Sequence, residues 1–305
     1  MLPFPEKLET EGYQLSFNRL FYVLCLIATM GFVATGCGND SESANSGSSS
    51  ETVSLSEDCT PDQLETFEAD TLTIATDDPA FPPYFEDNDP TNGMGFESAV
   101  AYAIADELGF SEDQVEWVVE PFNRSYAPGE KDYDFDVNQI SITTKRAEAV
   151  DFSSPYYEAK QAVVALKDSP AADASSLADV SEAEIGVQIG TTSLDAVEAN
   201  VQPTTDAQVF DTSNDVVSAL KNGQVEAVIV DVPTAFFLTA VQVTDAEIVG
   251  QFAGPESDEF GALLEKDSSL TPCVSAAIDS LRESGELAEI EEEWLSAAQD
   301  APILE

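Results

Sequence analysis

The sequence predicts an α/β protein of two lobes joined by two crossing strands, and three observations carry that prediction. Strand and helix patterns alternate, stop, and then alternate afresh. At 305 residues the chain exceeds what one hydrophobic core ordinarily serves, since single cores stop growing at about 250–300 residues. Two further short apolar strands, at 161–166 and 260–264, sit after the first and after the second alternation, where a chain leaves one lobe and returns to it.

In chain order, Lys7 and Arg19 precede an apolar run from Leu20 to Val33 and then the small residues Ala34-Thr35-Gly36 before Cys37. The run is too short to span a bilayer comfortably, so 1–37 reads as a secretory signal. It resembles a bacterial lipoprotein signal whose terminal Cys becomes acylated; Ala34 departs from the Leu preferred three places before that Cys. Residues 38–56, rich in Ser, Asn, Gly and Glu, cannot bury enough surface to fold and read as a flexible tether reaching roughly 25 Å. Cys25 lies in the signal and Cys37 is the anchor candidate, which leaves Cys59 and Cys273; in an oxidising compartment a bridge between them is expected.

The first unit opens with strand 72–76 (LTIAT), followed by the aromatic, Pro-rich FPPYF. Residues 86–93, EDNDPTNG, lack the spacing of a calcium loop and read as a hairpin turn. Val100, Ile104 and Leu108 recur every four residues, predicting a helix over 97–108 that stops at Gly109. Strands are expected at 115–119 and 135–140 around the loop PFNRSYAPGEKDYD. The second unit has strand 185–188, a helix opening at Gly190-Thr191-Thr192-Ser193, a helix through VVSALKNGQ, and strand VEAVIV ending at Asp231. Helices over 272–282 and 287–295, divided by Ser284-Gly285, end the pattern.

Charge narrows the function. Eleven Lys and Arg against 59 Asp and Glu give a formal net charge of −48, a field that repels phosphate backbones and anionic lipid surfaces. Histidine is absent altogether, which excludes Ser-His-Asp and Cys-His catalysis and His-ligated zinc. No metal or cofactor is expected.

Five motifs occur in one order: TDDPAFPPYFE, GFESAVAYAIADELG, FDVNQISITTKRAEAVDFSSPYYE, IGVQIGTTSLDAV and GQVEAVIVDVPTA. By these, from about 72 to 295, the chain resembles the family 3 extracellular solute-binding proteins, periplasmic-type receptors for polar amino acids. The resemblance implies a periplasmic-binding-protein type II fold of two Rossmann-like lobes with a ligand cleft between them, divided as 57–165, 166–252 and a return at 253–305.

It also assigns residues. Arg146 falls where the family holds the ligand's α-carboxylate, and a guanidinium fork suits a carboxylate bidentately; the plainer reading is a surface pair with Glu148. Asp231 matches the acceptor of the α-ammonium, at a strand end where open α/β sheets bind ligands; an N-cap before Pro233 is compatible with that role. Thr191 and Thr192 open a helix whose free N–H groups and hydroxyls suit a carboxylate, or simply cap it. Ser141 lies five before Arg146, as in the family, and Asn138 and Gln139 replace the small residues usual there. Phe81 and Tyr84 correspond to aromatics packing on the ligand's side chain. Asp78 would favour a cationic ligand and Arg124 an acidic one, which leaves the side chain open.

The function implied is that of an extracytoplasmic, lipid-anchored binding subunit of an ABC uptake transporter. As a monomer it closes on an amino acid or similar zwitterion and delivers it to a membrane permease. The alternative is an enzyme on the same scaffold, of the cyclohexadienyl dehydratase kind, which needs a carboxyl of raised pKa or another general acid in the cleft, and the sequence shows no dedicated pair.

Overall fold

The computed structural model describes residues 55, 58–256, 258–296 and 301–304, all within one compact unit spanning 50–305. The expected signal at 1–37, with Cys25 and Cys37, and all of the expected tether but Leu55 lie outside the described residues.

Two five-stranded mixed sheets form the frame. The first is built from β1 (Leu72–Thr76), α1 (Phe96–Glu107), β2 (Val115–Val119), α2 (Phe122–Ser125), β3 (Phe135–Asp136), α3 (Thr144–Ala147) and β4 (Asp151–Ala159). The second takes β5 (Gln161–Leu166), α4 (Leu177–Val180), β6 (Ile185–Gln188), α5 (Thr192–Ala196), β7 (Gln208–Phe210), α6 (Ser213–Lys221), β8 (Ala227–Asp231), α7 (Val232–Phe237) and β9 (Ala246–Phe252). The chain then returns through β10 (Asp258–Leu264), α8 (Thr271–Ser284) and α9 (Glu286–Leu295). Strand orders are β2-β1-β3-β10-β4 and β7-β6-β8-β5-β9.

Each order follows from what the strands bury. β1 is buried along its whole length and so takes an interior position, parallel to β2 on one side and β3 on the other. Residues 161–165 of β5 are likewise buried, and β5 lies between β8 and β9, antiparallel to both. Helices α1, α8 and α9 cover the first sheet through Val100, Ile104, Val274, Ile278, Leu287 and Leu295. Cys59 and Cys273 lie in this same core and are joined by a disulfide.

The sequence expectations need correcting in four places. Residues 86–93 form two successive 3-10 turns leading into α1, with no strand pair across them, because the side chain of Asp89 accepts the N–H of Thr91 and Gly93 takes φ 71° to end the turn. The strand expected over 135–140 is only two residues long, since Gln139 adopts φ 49° and breaks the ladder. β5 pairs wholly within the second sheet, so the boundary drawn at 165 falls inside a strand of the second lobe; the crossings run through Lys160 and through the segment that begins at 253. Residues 301–304 do not stay with the returning segment. β9 is a sheet edge with unpaired backbone groups, and the tail fills them: Gln251 N–H donates to the Pro302 carbonyl (2.6 Å) and Leu304 N–H to the Gln251 carbonyl (2.9 Å).

Candidate functional site

Between the two sheets lies a cavity of about 360 Å³. All ten residues the sequence singled out for ligand contact line it: Asp78, Phe81, Tyr84, Asn138, Gln139, Ser141 and Arg146 from the first half, Thr191, Thr192 and Asp231 from the second. Arg124 is not among the lining residues; its exposed guanidinium pairs with Glu120 at 3.4 Å.

Arg146 is placed by local structure. Thr143 caps α3 by accepting the Arg146 N–H, which fixes the short helix and aims the side chain into the cavity. The guanidinium is buried, donates from Nη1 to the Ser141 carbonyl (2.6 Å) and from Nη2 to the Gly190 carbonyl (2.9 Å), and lies 4.8 Å from the Tyr126 ring centroid and 5.5 Å from that of Phe122. No ion pair to Glu148 forms among the described residues. Burial lowers its pKa, opposed by the fields of Tyr126, Asp195, Asp231 and Asp258. A buried fork with carbonyl and π partners, and no fixed counter-ion, retains donors for a carboxylate.

The two halves touch across the cavity. Besides the Arg146 to Gly190 bond, Tyr84 and Thr234 hydroxyls meet at 3.3 Å, Ser141 and Thr192 at 3.3 Å, and Asn123 donates to the Asp211 carbonyl at 3.2 Å. Gly190, at φ 74°, admits this approach: a Cβ there would stand 2.3 Å from the Tyr126 hydroxyl. The arrangement is a closed one.

Asp231 starts α7 without capping it; its carboxylate instead accepts from Gln161 Nε2 at 3.1 Å. The same nitrogen serves Asp258 at 3.1 Å, and Ser193 donates to the other end of the Gln161 amide at 2.6 Å. Burial, with Asp258 close by, pushes Asp231 up to about 7 against the opposing pull of Gln161 and Arg146. Thr191 is consumed locally: its hydroxyl accepts the Leu194 N–H and donates to the Gln188 carbonyl. Gln139 turns its amide to the buried Glu97, whereas the Asn138 amide nitrogen is buried without a partner. No group of three or more His, Cys, Asp or Glu is arranged to hold a metal among the described residues.

Sequence reasoning missed Phe122 and Tyr126, which face Arg146, and the Gln161 bridge between two carboxylates. The aromatic pair was visible in PFNRSY, but nothing in the sequence tells which side chain it meets. Gln161 opens an apolar strand and carries no local signal.

Two buried carboxyls behind the cavity set a pH dependence. Burial raises Glu97 from 4.5 to about 7 and Asp136 from 3.8 to about 8, outweighing the donors that stabilise each anion. Between the unfolded values near 4 and these folded values the folded chain holds protons that the unfolded chain has released, so stability falls as pH rises from about 4 and levels off above about 7 and 8. Each group contributes up to about 1.4 kcal/mol per pH unit in that window. The thermal midpoint of the unliganded protein should decline between about pH 5 and pH 8 and level off above that; a midpoint that is flat or climbs between about pH 5 and pH 8 would refute the assignment.

Residues 72–297 match the family described as bacterial extracellular solute-binding proteins, family 3. Among curated relatives, the arginine-binding extracellular protein ArtP of Bacillus subtilis (strain 168) is 24% identical over 290 residues, covering 91% of this chain and 98% of its own. The L-cystine-binding protein TcyJ of Escherichia coli (strain K12) is 27% identical over 222 residues, 71% of this chain and 80% of its own. Among solved structures, an ancestral arginine-binding protein bound to glutamine superposes with a TM-score of 0.62 at 29% identity, covering 75% of this chain and 99% of that one.

Proposed function

The chain belongs to the family 3 bacterial extracellular solute-binding proteins, and from that premise we propose that it binds an amino acid by closing its two halves and hands it to the permease of an ABC uptake transporter. The observation carrying this reading is the pairing of one buried cation, Arg146, with one raised carboxyl, Asp231, in a single cavity between the sheets. A zwitterion presents the complementary charges: its carboxylate to the guanidinium fork, assisted by Ser141 and Thr192, and its ammonium to Asp231. An ammonium beside Asp231 offsets the burial cost that raises its pKa, so binding favours the ionised carboxylate.

The cavity lining has a sign. Asp77, Asp78, Asp211 and Asp231 all line it, and the only basic lining residue among those described is Arg146. With Arg124 turned outward to Glu120, cationic and uncharged polar side chains are favoured over acidic ones. Arginine is the first candidate, in keeping with the names of several relatives. Residues 1–37 support secretion and acylation at Cys37, with 38–56 as the tether to the outer face of the membrane. In this reading the ligand's ammonium holds Asp231 ionised, so the raised carboxyl serves as a counter-ion and not as a general acid, and the act is binding with no chemical step.

A thermal-shift screen of the secreted chain against the twenty amino acids tests the reading. Ligand binding to the folded state adds RT ln(1 + [L]/Kd), about 2.7 kcal/mol at a hundred times Kd. Shifts with arginine or lysine and none with aspartate or glutamate are expected. A shift confined to acidic amino acids would overturn the charge argument, and no shift with any amino acid would overturn the function.

A further inference from the structure

Glu97 is fully buried on α1, is not among the residues lining the cavity, and yet receives three donors. Tyr156 donates its hydroxyl to Oε1 at 2.5 Å, the backbone N–H of Gln139 donates to the same oxygen at 2.7 Å, and the Gln139 amide nitrogen donates to Oε2. Two of the three come from one residue, and that residue stands at φ 49°, in the left-handed region where a side chain other than glycine is strained. A strained backbone persists only where its surroundings over-determine it. Here the carboxylate grips both the backbone and the side chain of the strained residue.

The consequence reaches Arg146 through a short path. Gln139 is flanked by Asn138, and two residues on lies Ser141, whose carbonyl takes Arg146 Nη1 at 2.6 Å and whose hydroxyl meets Thr192 across the cavity. Ser141 is pinned from its other side by an isolated bridge to Phe260. The segment 138–141 is thus held between β10 and the Glu97 carboxylate, and its course decides where the fork of Arg146 points.

We propose that Glu97 is a positioning residue for ligand binding: by clamping Gln139 in a left-handed conformation it fixes the floor segment 138–141 and, through the Ser141 carbonyl, the aim of Arg146. This rests on the amino-acid-binding reading above, and the experiment separates the two. Glu97→Gln replaces an acceptor oxygen with a donor facing the donors of Gln139. Gln139→Gly removes the need for the clamp, because glycine takes this conformation without strain.

Affinity is measured by calorimetry with the amino acid giving the largest shift in the screen, alongside backbone hydrogen exchange of the segment 138–141. Measured at about pH 8.5, above the Glu97 value of about 7 so that the carboxylate is ionised, Glu97→Gln should weaken binding at least about tenfold, the scale of one charge-assisted hydrogen bond, and speed exchange in that segment. Adding Gln139→Gly to Glu97→Gln should recover most of the affinity. Tyr156→Phe, which takes a donor from the same carboxylate without touching the floor, should weaken binding far less. Unchanged affinity in Glu97→Gln overturns the proposal, as does a loss that Gln139→Gly does not recover and Tyr156→Phe reproduces. If Glu97→Gln does not fold, Glu97→Asp, one methylene short of Gln139, is read in the same way. If no amino acid binds the unaltered chain, the functional reading fails while exchange still decides the clamp: faster exchange in Glu97→Gln supports it, and an unchanged rate overturns it.

Discussion

Arg146→Ala should abolish amino-acid binding while leaving the fold in place. Removing the fork would strand the ligand's carboxylate in a closed cavity with no counter-charge. Leaving one member of a buried, hydrogen-bonded charge pair unpartnered costs about 3–5 kcal/mol, on the order of a hundred- to a few thousandfold in affinity. The fold should tolerate the change because Arg146 has no carboxylate partner to orphan among the described residues; its fixed partners are the Ser141 and Gly190 carbonyls and the rings of Phe122 and Tyr126. The Gly190 bond also spans the two halves, so the variant loses one of its own closing contacts as well as the ligand's. The check is a pair of thermal scans. The unliganded midpoint should stay within a few degrees of the parent, and the ligand-induced shift should vanish. Arg146→Lys, a point charge without the planar fork, should recover only part of it. A ligand shift of parental size in Arg146→Ala would remove the residue from the site.

The second large effect is on stability. Cys59, ahead of β1, and Cys273, on α8, close a loop with a sequence separation of 214, and both sulfurs are buried in the core that α1 and α8 share. Loop closure of that length restricts the unfolded chain by an amount that the chain-entropy estimate puts at roughly 5 kcal/mol, and measured bridges contribute about 2–4 kcal/mol. In a body of this size each kcal/mol moves the midpoint by about 2–4 °C, so Cys59→Ser with Cys273→Ser should unfold roughly 5–15 °C lower than the parent. Thiol titration of the unfolded parent distinguishes a bridge from two free thiols, and a double variant with an unchanged midpoint would deny the bridge any stabilising role. The staple lies within the first sheet's core, so ligand affinity at low temperature should be little altered.

What was legible in the chain was whatever repeats locally. β1, β2, β5, β6 and β8 were all visible as short apolar runs, α1 as a four-residue periodicity, and α8 and α9 as the two segments divided by Ser284-Gly285, to within a residue or two of their observed ends. β4 was not. DFSSPYYEA carries a proline and two serines, and becomes a nine-residue strand because β10 runs antiparallel beside it, with Ser153 accepting the Ala262 N–H. β9, with Gly250 inside it, is stabilised by β5 on one side and the returning tail on the other. The strand read over 135–140 failed for the converse reason: its composition suits a ladder, but Glu97, 42 residues earlier, draws Gln139 out of it.

The candidate site divides along the same line. Arg146 and Asp231 were assigned through the family resemblance of the motifs they sit in, Arg146 in a chain where cations are scarce and Asp231 at the end of an apolar strand. The sequence by itself therefore determined the α/β class, the alternation of units, and the residue types that collect at the strand ends. Only the tertiary structure decided that Phe122 and Tyr126 face the Arg146 guanidinium, that Gln161 bridges Asp231 and Asp258, and that a Cβ at Gly190 would crowd the Tyr126 hydroxyl. Those are contacts between residues about twenty to a hundred positions apart, and local periodicity carries no record of which distant groups a fold will bring together.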